Sequence, residues 1–214
     1  MELSTVIINY QTPDLLETAV RSFKKYYPQQ LLYIIDNGSK DDSKDIINDL
    51  VGEYEQIESV YLAENIYHGP AMDYAIQQLI KTKFVFFLDS DTETKKDGFI
   101  EKMVAILKED EQVYGVGQIQ KVNKRGYKSE VGYDIILTPY MMLRTNTYKS
   151  LTPFIHHGQP TLMNFKRAIE EGFKLVDFPI TNYIDHKWRG TSDRFGYGLG
   201  LKGKIDYVLN KLGL

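Results

Sequence analysis

Apolar residues in the first ninety positions alternate between two arrangements. Short unbroken runs come at Ser4 to Tyr10, Leu31 to Ile35, Ser59 to Leu62 and Phe84 to Leu88. Runs of that length, rich in β-branched and aromatic residues, predict strands, and the unalternating ones predict strands buried on both faces. Between them the apolar residues return every three or four positions. Leu15, Leu16, Ala19, Val20 and Phe23 form one stripe, and Ile46, Ile47 and Leu50 a second. Ala71, Met72, Ala75, Ile76, Leu79 and Ile80 form a third. Each predicts a helix with one inward face. The first helix is expected from Asp14 to about Tyr27, with Thr12 as N-cap, Pro13 in its first turn and Pro28 beyond its end. Four strand–helix alternations predict an α/β fold with a mostly parallel, Rossmann-like sheet flanked by helices. Right-handed crossovers then bring Tyr10, Asp36, Asn65 and Asp89 to one edge, because each follows the end of its strand.

The second half is less regular. A helix is expected over Phe99 to Lys108, and strand-like stretches over Val113 to Val122 and Tyr133 to Leu143. A polar loop with Lys124, Arg125 and Gly126 joins those stretches. A short helical turn at Thr147 to Leu151 precedes a helix opening at Gln159 or Pro160, running through Glu171 and ended by Gly172. Short strands follow at Lys174 to Phe178 and Tyr183 to His186. The tail from Phe195 to Leu214 is Gly-rich and then helical, with Ile205, Val208, Leu209 and Leu212 on one side and Lys202, Lys204 and Lys211 beside it.

Composition narrows the function classes. At 214 residues the chain is one large domain or one domain with a substantial extension, and its 43% apolar content is enough for a core. A net charge of −3 gives no general pull toward nucleic acid. The absence of cysteine excludes disulfides and thiolate metal sites and fits a reducing compartment, so the expected location is the cytoplasm. Met1-Glu2-Leu3-Ser4 carries no basic leader pattern, and no apolar run approaches the roughly 18 residues a spanning helix needs. The basic-flanked tail helix fits three partners: a membrane surface, the body of the domain, or a second subunit.

Two clusters carry candidate chemistry. The buried run Phe84 to Leu88 ends in Asp89-Ser90-Asp91. Two carboxylates one residue apart repel unless a cation lies between them or both are well solvated. One reading is an oxygen-rich site for Mg²⁺ or Mn²⁺ shared with a phosphate ligand; the other is an acidic turn capping the next helix. Asp36-Asn37-Gly38-Ser39, taken alone, reads as a tight turn rich in hydrogen-bonding groups before it reads as a ligand-binding loop.

Together these pieces resemble the inverting glycosyltransferases of family 2, with the GT-A fold. The resemblance rests on Val6 to Thr12, Ile35 to Ser39, Glu64-Asn65, Phe87 to Asp91, Gly172 to Pro179, and His186 followed by Arg189-Gly190-Thr191-Ser192. It implies one GT-A domain over 1–214. Residues 1–92 form the nucleotide-sugar-binding half, 93–192 a smaller irregular acceptor-binding half, and 193–214 a C-terminal tail. It places Tyr10, Gln11, Thr12, Asp36, Asn37, Gly38, Ser39, Asn65 and Gly69 against the base, ribose or sugar, with Gly69 leaving room for the ligand. Asp91 is then a direct metal ligand. Asp89 touches the ribose or the cation's water shell, Ser90 stands beside them, and His186 is the other metal position. A histidine ligand tilts the expectation toward Mn²⁺ over Mg²⁺. Arg189 and Thr191 lie on a loop suited to closing over the diphosphate of a nucleoside-diphosphate sugar.

The chain departs from that pattern in one place. Many members carry an acid at the start of the acceptor helix as general base. Here the region reads Ile155-His156-His157-Gly158-Gln159-Pro160-Thr161, with no carboxylate. His156 or His157 serves as base in one reading, since an imidazole titrates near the needed pH; in the other both only shape the acceptor mouth. A phosphate acceptor needs no base. The acceptor is accordingly expected to be a glycan, a lipid-linked molecule or a phosphate. A nucleotide-sugar-binding relative with weak or no transfer is the alternative. A nucleotidyltransferase would show a Gly-rich basic loop after the first strand, and Asn9 to Pro13 has neither feature.

Overall fold

A computed structural model describes residues 2–155 and 159–187 of the chain. Its first part runs β1 (Leu3–Asn9), α1 (Pro13–Tyr26), β2 (Leu32–Asp36), α2 (Ser43–Glu53), β3 (Ile57–Tyr61), α3 (His68–Tyr74) and β4 (Phe84–Leu88). The α3 helix continues as a π-helical segment, Ala75–Leu79, closed by the Ile80 N–H on the Ala75 carbonyl at 3.0 Å. Then come β5 (Thr92–Thr94), α4 (Phe99–Glu109), β6 (Val113–Gly117), β7 (Ile119–Val122), β8 (Tyr133–Ile136) and β9 (Tyr140–Arg144). The described chain ends with α5 (Thr145–Ser150), α6 (Leu162–Glu170), β10 (Lys174–Asp177) and β11 (Ile184–His186).

Seven strands form one sheet in the order β10-β6-β9-β4-β1-β2-β3. Each neighbouring pair is parallel except the two that involve β9. The sheet therefore draws strands from both the regular first part and the irregular second part. Along β4, successive side chains leave on opposite faces. Phe84, Phe86 and Leu88 join α1 and α4 residues such as Phe23, Phe99 and Met103 in one core. Val85 and Phe87 join Met72, Ile76, Phe165 and Ala168 in the other. That is why Phe84 to Leu88 shows no polar alternation: every position is covered.

Two expectations are refined and one strand is added. The strand-like region Val113 to Val122 resolves into two strands. It breaks after Gly117, where a Cβ would lie 2.5 Å from the Ile136 side chain. Beyond the break, β7 pairs antiparallel with β8 as a separate ribbon. The helix expected from Gln159 or Pro160 starts at Leu162, with Phe165 N–H on the Thr161 carbonyl; Gln159 and Pro160 form the turn before it. The three-residue strand β5 has no periodicity long enough to be read from sequence. It is pinned by the Thr94 N–H on Ser22 Oγ and by pairing with β11.

Candidate active site

The ends of β1, β2 and β4 and the loop after β3 meet at the carboxyl edge of the sheet, where open α/β sheets bind ligands. Polar side chains there tie one another down. Asn9, fully buried, donates through Nδ2 to Asp36 Oδ1 at 3.1 Å, while the Ser39 N–H donates to Asp36 Oδ2 at 3.1 Å. Ser39 Oγ accepts the Gln11 N–H at 2.9 Å. Thr12 is buried and stands at the N-cap of α1, but its hydroxyl does not cap the helix. It donates to Asn9 Oδ1 at 2.9 Å and lies 3.2 Å from Ser90 Oγ. Asn37 Nδ2 donates to Asn65 Oδ1 at 3.1 Å, and Asn65 Oδ1 also accepts the Tyr67 N–H at 2.8 Å. Tyr10 is half-buried just past the end of β1. Gly38 adopts φ 77° beneath the Glu64 backbone, where a Cβ would come within 2.4 Å, so no other residue fits that turn. The Asn37 N–H donates to the Asn9 carbonyl at 2.8 Å and so joins the Asn37–Asn65 pair to the Asn9, Gln11, Thr12, Asp36 and Ser39 network, with Tyr10 and Gly38 next to these residues in the chain.

The acidic pair continues it. The Asp89 N–H donates to the Pro139 carbonyl at 3.0 Å, and Thr92 Oγ1 donates to the Asp89 carbonyl at 2.7 Å. This tight turn sends the chain straight into β5. Because β5 pairs with β11 in the register Thr92↔His186, the distant histidine is laid beside Asp91. His186 Nε2 stands 2.9 Å from Asp91 Oδ1, with both side chains under 10% exposed. Asp89, Asp91 and His186 each offer a ligand atom, all within 4.8 Å of one another. The Tyr140 ring stands edge-on to the His186 ring, 6.0 Å between centroids, and its hydroxyl donates to Gln118 Oε1 at 2.8 Å.

Burial holds the Asp89 carboxyl above its usual range; His68 and His186 oppose that rise and Asp91 adds to it. Burial and the Asp89 charge push the Tyr140 phenol up to about 12. A carboxylate so placed gains most from a nearby cation. Two carboxylate oxygens and one imidazole nitrogen form a donor set that suits Mn²⁺ or Mg²⁺.

Sequence reasoning missed three members. Asn9 is a polar side chain directly after the apolar run Val6-Ile7-Ile8 of a strand buried throughout, and that change of character was the available signal. His68, the first residue of α3, places Nε2 3.5 Å from Asp89 Oδ1. It is one of only four histidines, and its place in a loop after a strand was the signal. Tyr140 comes from β9, and nothing local in the sequence links it to Asp89.

Gly69 has a different reason from the one expected. A Cβ there would lie 2.0 Å from the Ile155 carbonyl oxygen and 2.9 Å from Pro160 Cβ. The space that the missing side chain leaves is filled by the chain itself, not held open for a ligand. Gly69→Ala is therefore expected to destabilise the protein by about 2 kcal/mol, the range of overpacking. Thermal unfolding without any nucleotide checks this; an unchanged Tm would show that the segment yields. Gly126 makes a similar contact, with Gln159 Cβ 2.5 Å from its Cβ position, so the β7–β8 loop rests on that same turn. His156, His157, Arg189, Thr191 and the tail lie outside the described residues.

Comparison with known proteins adds the lineage. The sequence pattern of glycosyl transferase family 2 matches residues 4–173. A Bacillus subtilis (strain 168) protein described as a teichuronic acid biosynthesis glycosyltransferase, TuaG, is 32% identical over 108 residues, 50% of this chain and 42% of its own length. Among solved structures, the mannosyltransferase PcManGT from Pyrobaculum calidifontis, in complex with GDP-Man and Mn²⁺, superposes with a TM-score of 0.67 at 14% identity. The match covers 83% of this chain and 55% of that one. Glucosyl-3-phosphoglycerate synthase from Mycobacterium tuberculosis, bound to Mn²⁺, UDP and glucosyl-3-phosphoglycerate, gives 0.62 at 15% identity over 99% of this chain and 80% of its own. S. aureus TarS 1–349 with UDP-GlcNAc gives 0.61 at 16% over 86% and 58%. The chain thus spans less than half of the curated relative and little more than half of the first of these structures. Such distant likenesses establish the architecture, which is the GT-A fold. With the family pattern running unbroken from β1 past α6, the chain belongs to glycosyl transferase family 2.

Proposed function

We propose that this chain transfers a sugar from a nucleoside-diphosphate sugar to an acceptor, with inversion at the anomeric carbon and dependence on a divalent cation. The observation that carries the reading is the convergence of Asp89, Asp91 and His186 beside the Asn9–Asp36–Ser39 patch at the carboxyl edge of the sheet. Residues 1–92 serve the donor and 93–192 the acceptor. Asp36 is held through both oxygens, yet a carboxylate has about four acceptor positions, so it can still take a ring N–H of the base. Tyr10, Gln11, Thr12, Asn37, Gly38, Ser39 and Asn65 complete the base and ribose pocket, and Ser90 links it to the acidic pair. Gly69 contributes by fixing the wall next to His68.

Asp91 and His186 would hold Mn²⁺ or Mg²⁺, with Asp89 directly or through water. Bound there, the cation supplies positive charge against the diphosphate as it departs. The side chains around it exclude water and hold that charge where negative charge grows in the transition state, which is where stabilisation accelerates the reaction. Arg189 and Thr191 are assigned to the diphosphate from the sequence. His156 or His157 is assigned to the acceptor hydroxyl's proton. The acceptor is a glycan, a lipid-linked molecule or a phosphate.

The second reading, donor binding without efficient transfer, has one feature in its favour: no carboxylate stands at Gln159–Thr161 ahead of α6. A positioned base contributes ~10²–10⁴ in rate, so its loss slows transfer without forbidding it. A thermal-shift panel of UDP, GDP, dTDP and CDP, each with and without Mn²⁺, tests the common core of both readings. At a ligand concentration 100 times Kd, native-state binding adds about 2.7 kcal/mol of stability. One nucleotide is expected to raise Tm only when Mn²⁺ is present. A panel with no shift would remove the donor pocket altogether.

A further inference from the structure

We propose that His68 is a positioning residue of the cation site, holding the Asp89 carboxylate in place through its Nε2–H. This rests on the cation reading above. Three observations lead to it. His68 Nε2 is closed off from solvent although 38% of the side chain is exposed, and among the described residues it has no hydrogen-bond partner of ordinary geometry. Asp89 Oδ1 lies 3.5 Å from it, a separation that a small shift of the carboxylate closes. A buried ring nitrogen without a partner is a standing cost, so its placement calls for a function.

The backbone supplies the other two observations, one on each side of the histidine. Tyr67 sits at φ 71°, ψ 165°, a region nearly reserved for glycine and strained for a tyrosine. Gly69 is packed against the Ile155 carbonyl so closely that no side chain fits. Residue 68 is thus fixed from both sides, and the outcome of that fixing is an imidazole aimed at Asp89. The Asn37–Asn65–Tyr67 hydrogen bonds connect the same segment to the base pocket. A ligating carboxylate needs an outer partner to set which oxygen faces the ion, and loss of such a partner typically weakens metal binding about 10–100-fold.

The test is Mn²⁺ binding measured by the loss of the free-ion electron paramagnetic resonance signal, on the whole chain without nucleotide. His68→Ala is expected to raise the Mn²⁺ Kd about 10–100-fold. His68→Gln, whose amide still donates a hydrogen bond, is expected to recover much of that loss. Melting curves in EDTA for parent and variants show that the fold is intact. Asp91→Ala separates the two claims, since it is expected to abolish Mn²⁺ binding whatever His68 does. Equal Kd for parent and His68→Ala overturns the positioning role and leaves the cation site standing. A His68→Gln variant as weak as His68→Ala also overturns it, because hydrogen-bond donation would then not be what matters. If the parent chain takes up no Mn²⁺, both claims fall.

Discussion

Asp91→Asn is expected to lower Mn²⁺-dependent release of nucleoside diphosphate from the matching sugar donor by about a thousandfold, the several kcal/mol that a cation supplies to a departing oxyanion. The substitution keeps the shape of the side chain and its reach to His186, 2.9 Å away, so the β5–β11 pairing should survive. What it removes is the charge that makes Asp91 Oδ1 a good ligand for a hard cation. The measurement is a continuous assay of diphosphate release, run at several Mn²⁺ concentrations. A rate within a few-fold of the parent would mean that Asp91 is only a structural acceptor for His186, and the functional reading would fail. Restoration of the rate by raising Mn²⁺ would show that affinity, not the chemical step, was lost.

Lys24→Met is expected to produce the largest loss of stability, far from the site. Lys24 lies on α1 and is 1% exposed. Its Nζ donates to the carbonyls of Gln30 at 2.6 Å, Gln56 at 3.0 Å and Pro28 at 3.4 Å. One ammonium thereby ties the end of α1 to the chain entering β2 and to the chain entering β3. Methionine fills the space but donates nothing, and a buried acceptor left unsatisfied costs about 1–3 kcal/mol. A total near 3 kcal/mol corresponds to a Tm drop of about 6–12 °C for a chain of this size.

The pH dependence carries the same signature. Burial lowers Lys24 to about 8 from the 10.5 of an exposed lysine. Between those values the unfolded chain binds more protons than the folded one, so the stability due to this group rises with pH across the window. Below it, where both states are protonated, the burial penalty is fully present. Denaturant melts of parent and Lys24→Met should therefore diverge as pH goes from 8 to 10.5, the parent gaining. Parallel curves would show that the ammonium is well solvated by its three carbonyls.

The two kinds of residue differ in how far the sequence exposes them. Asp89 and Asp91 follow the most apolar strand of the chain, and that abrupt change marks them without any partner. Lys24 looks like an ordinary basic residue in the last turn of an amphipathic helix. Nothing within α1 foretells that Gln30 and Gln56 bring their carbonyls to it. His68 is similar: its neighbours read as a loop and a helix start, and its contact with Asp89 spans twenty-one positions of chain.

By itself the sequence determined the alternating strand and helix order of the first ninety residues, the parallel sense of the strands, and the edge on which polar residues collect. Those follow from local periodicity and from the handedness of crossovers, which act over a few turns of chain. Only the tertiary structure decided that Thr12 binds Asn9 and not its own helix, and that Gly69 makes room for Ile155. The same holds for the break after Gly117 and for β11 carrying His186 to Asp91. Each depends on atoms brought together from separate elements, and such meetings leave no period in the sequence. They are settled by packing and hydrogen-bond satisfaction once the sheet has formed.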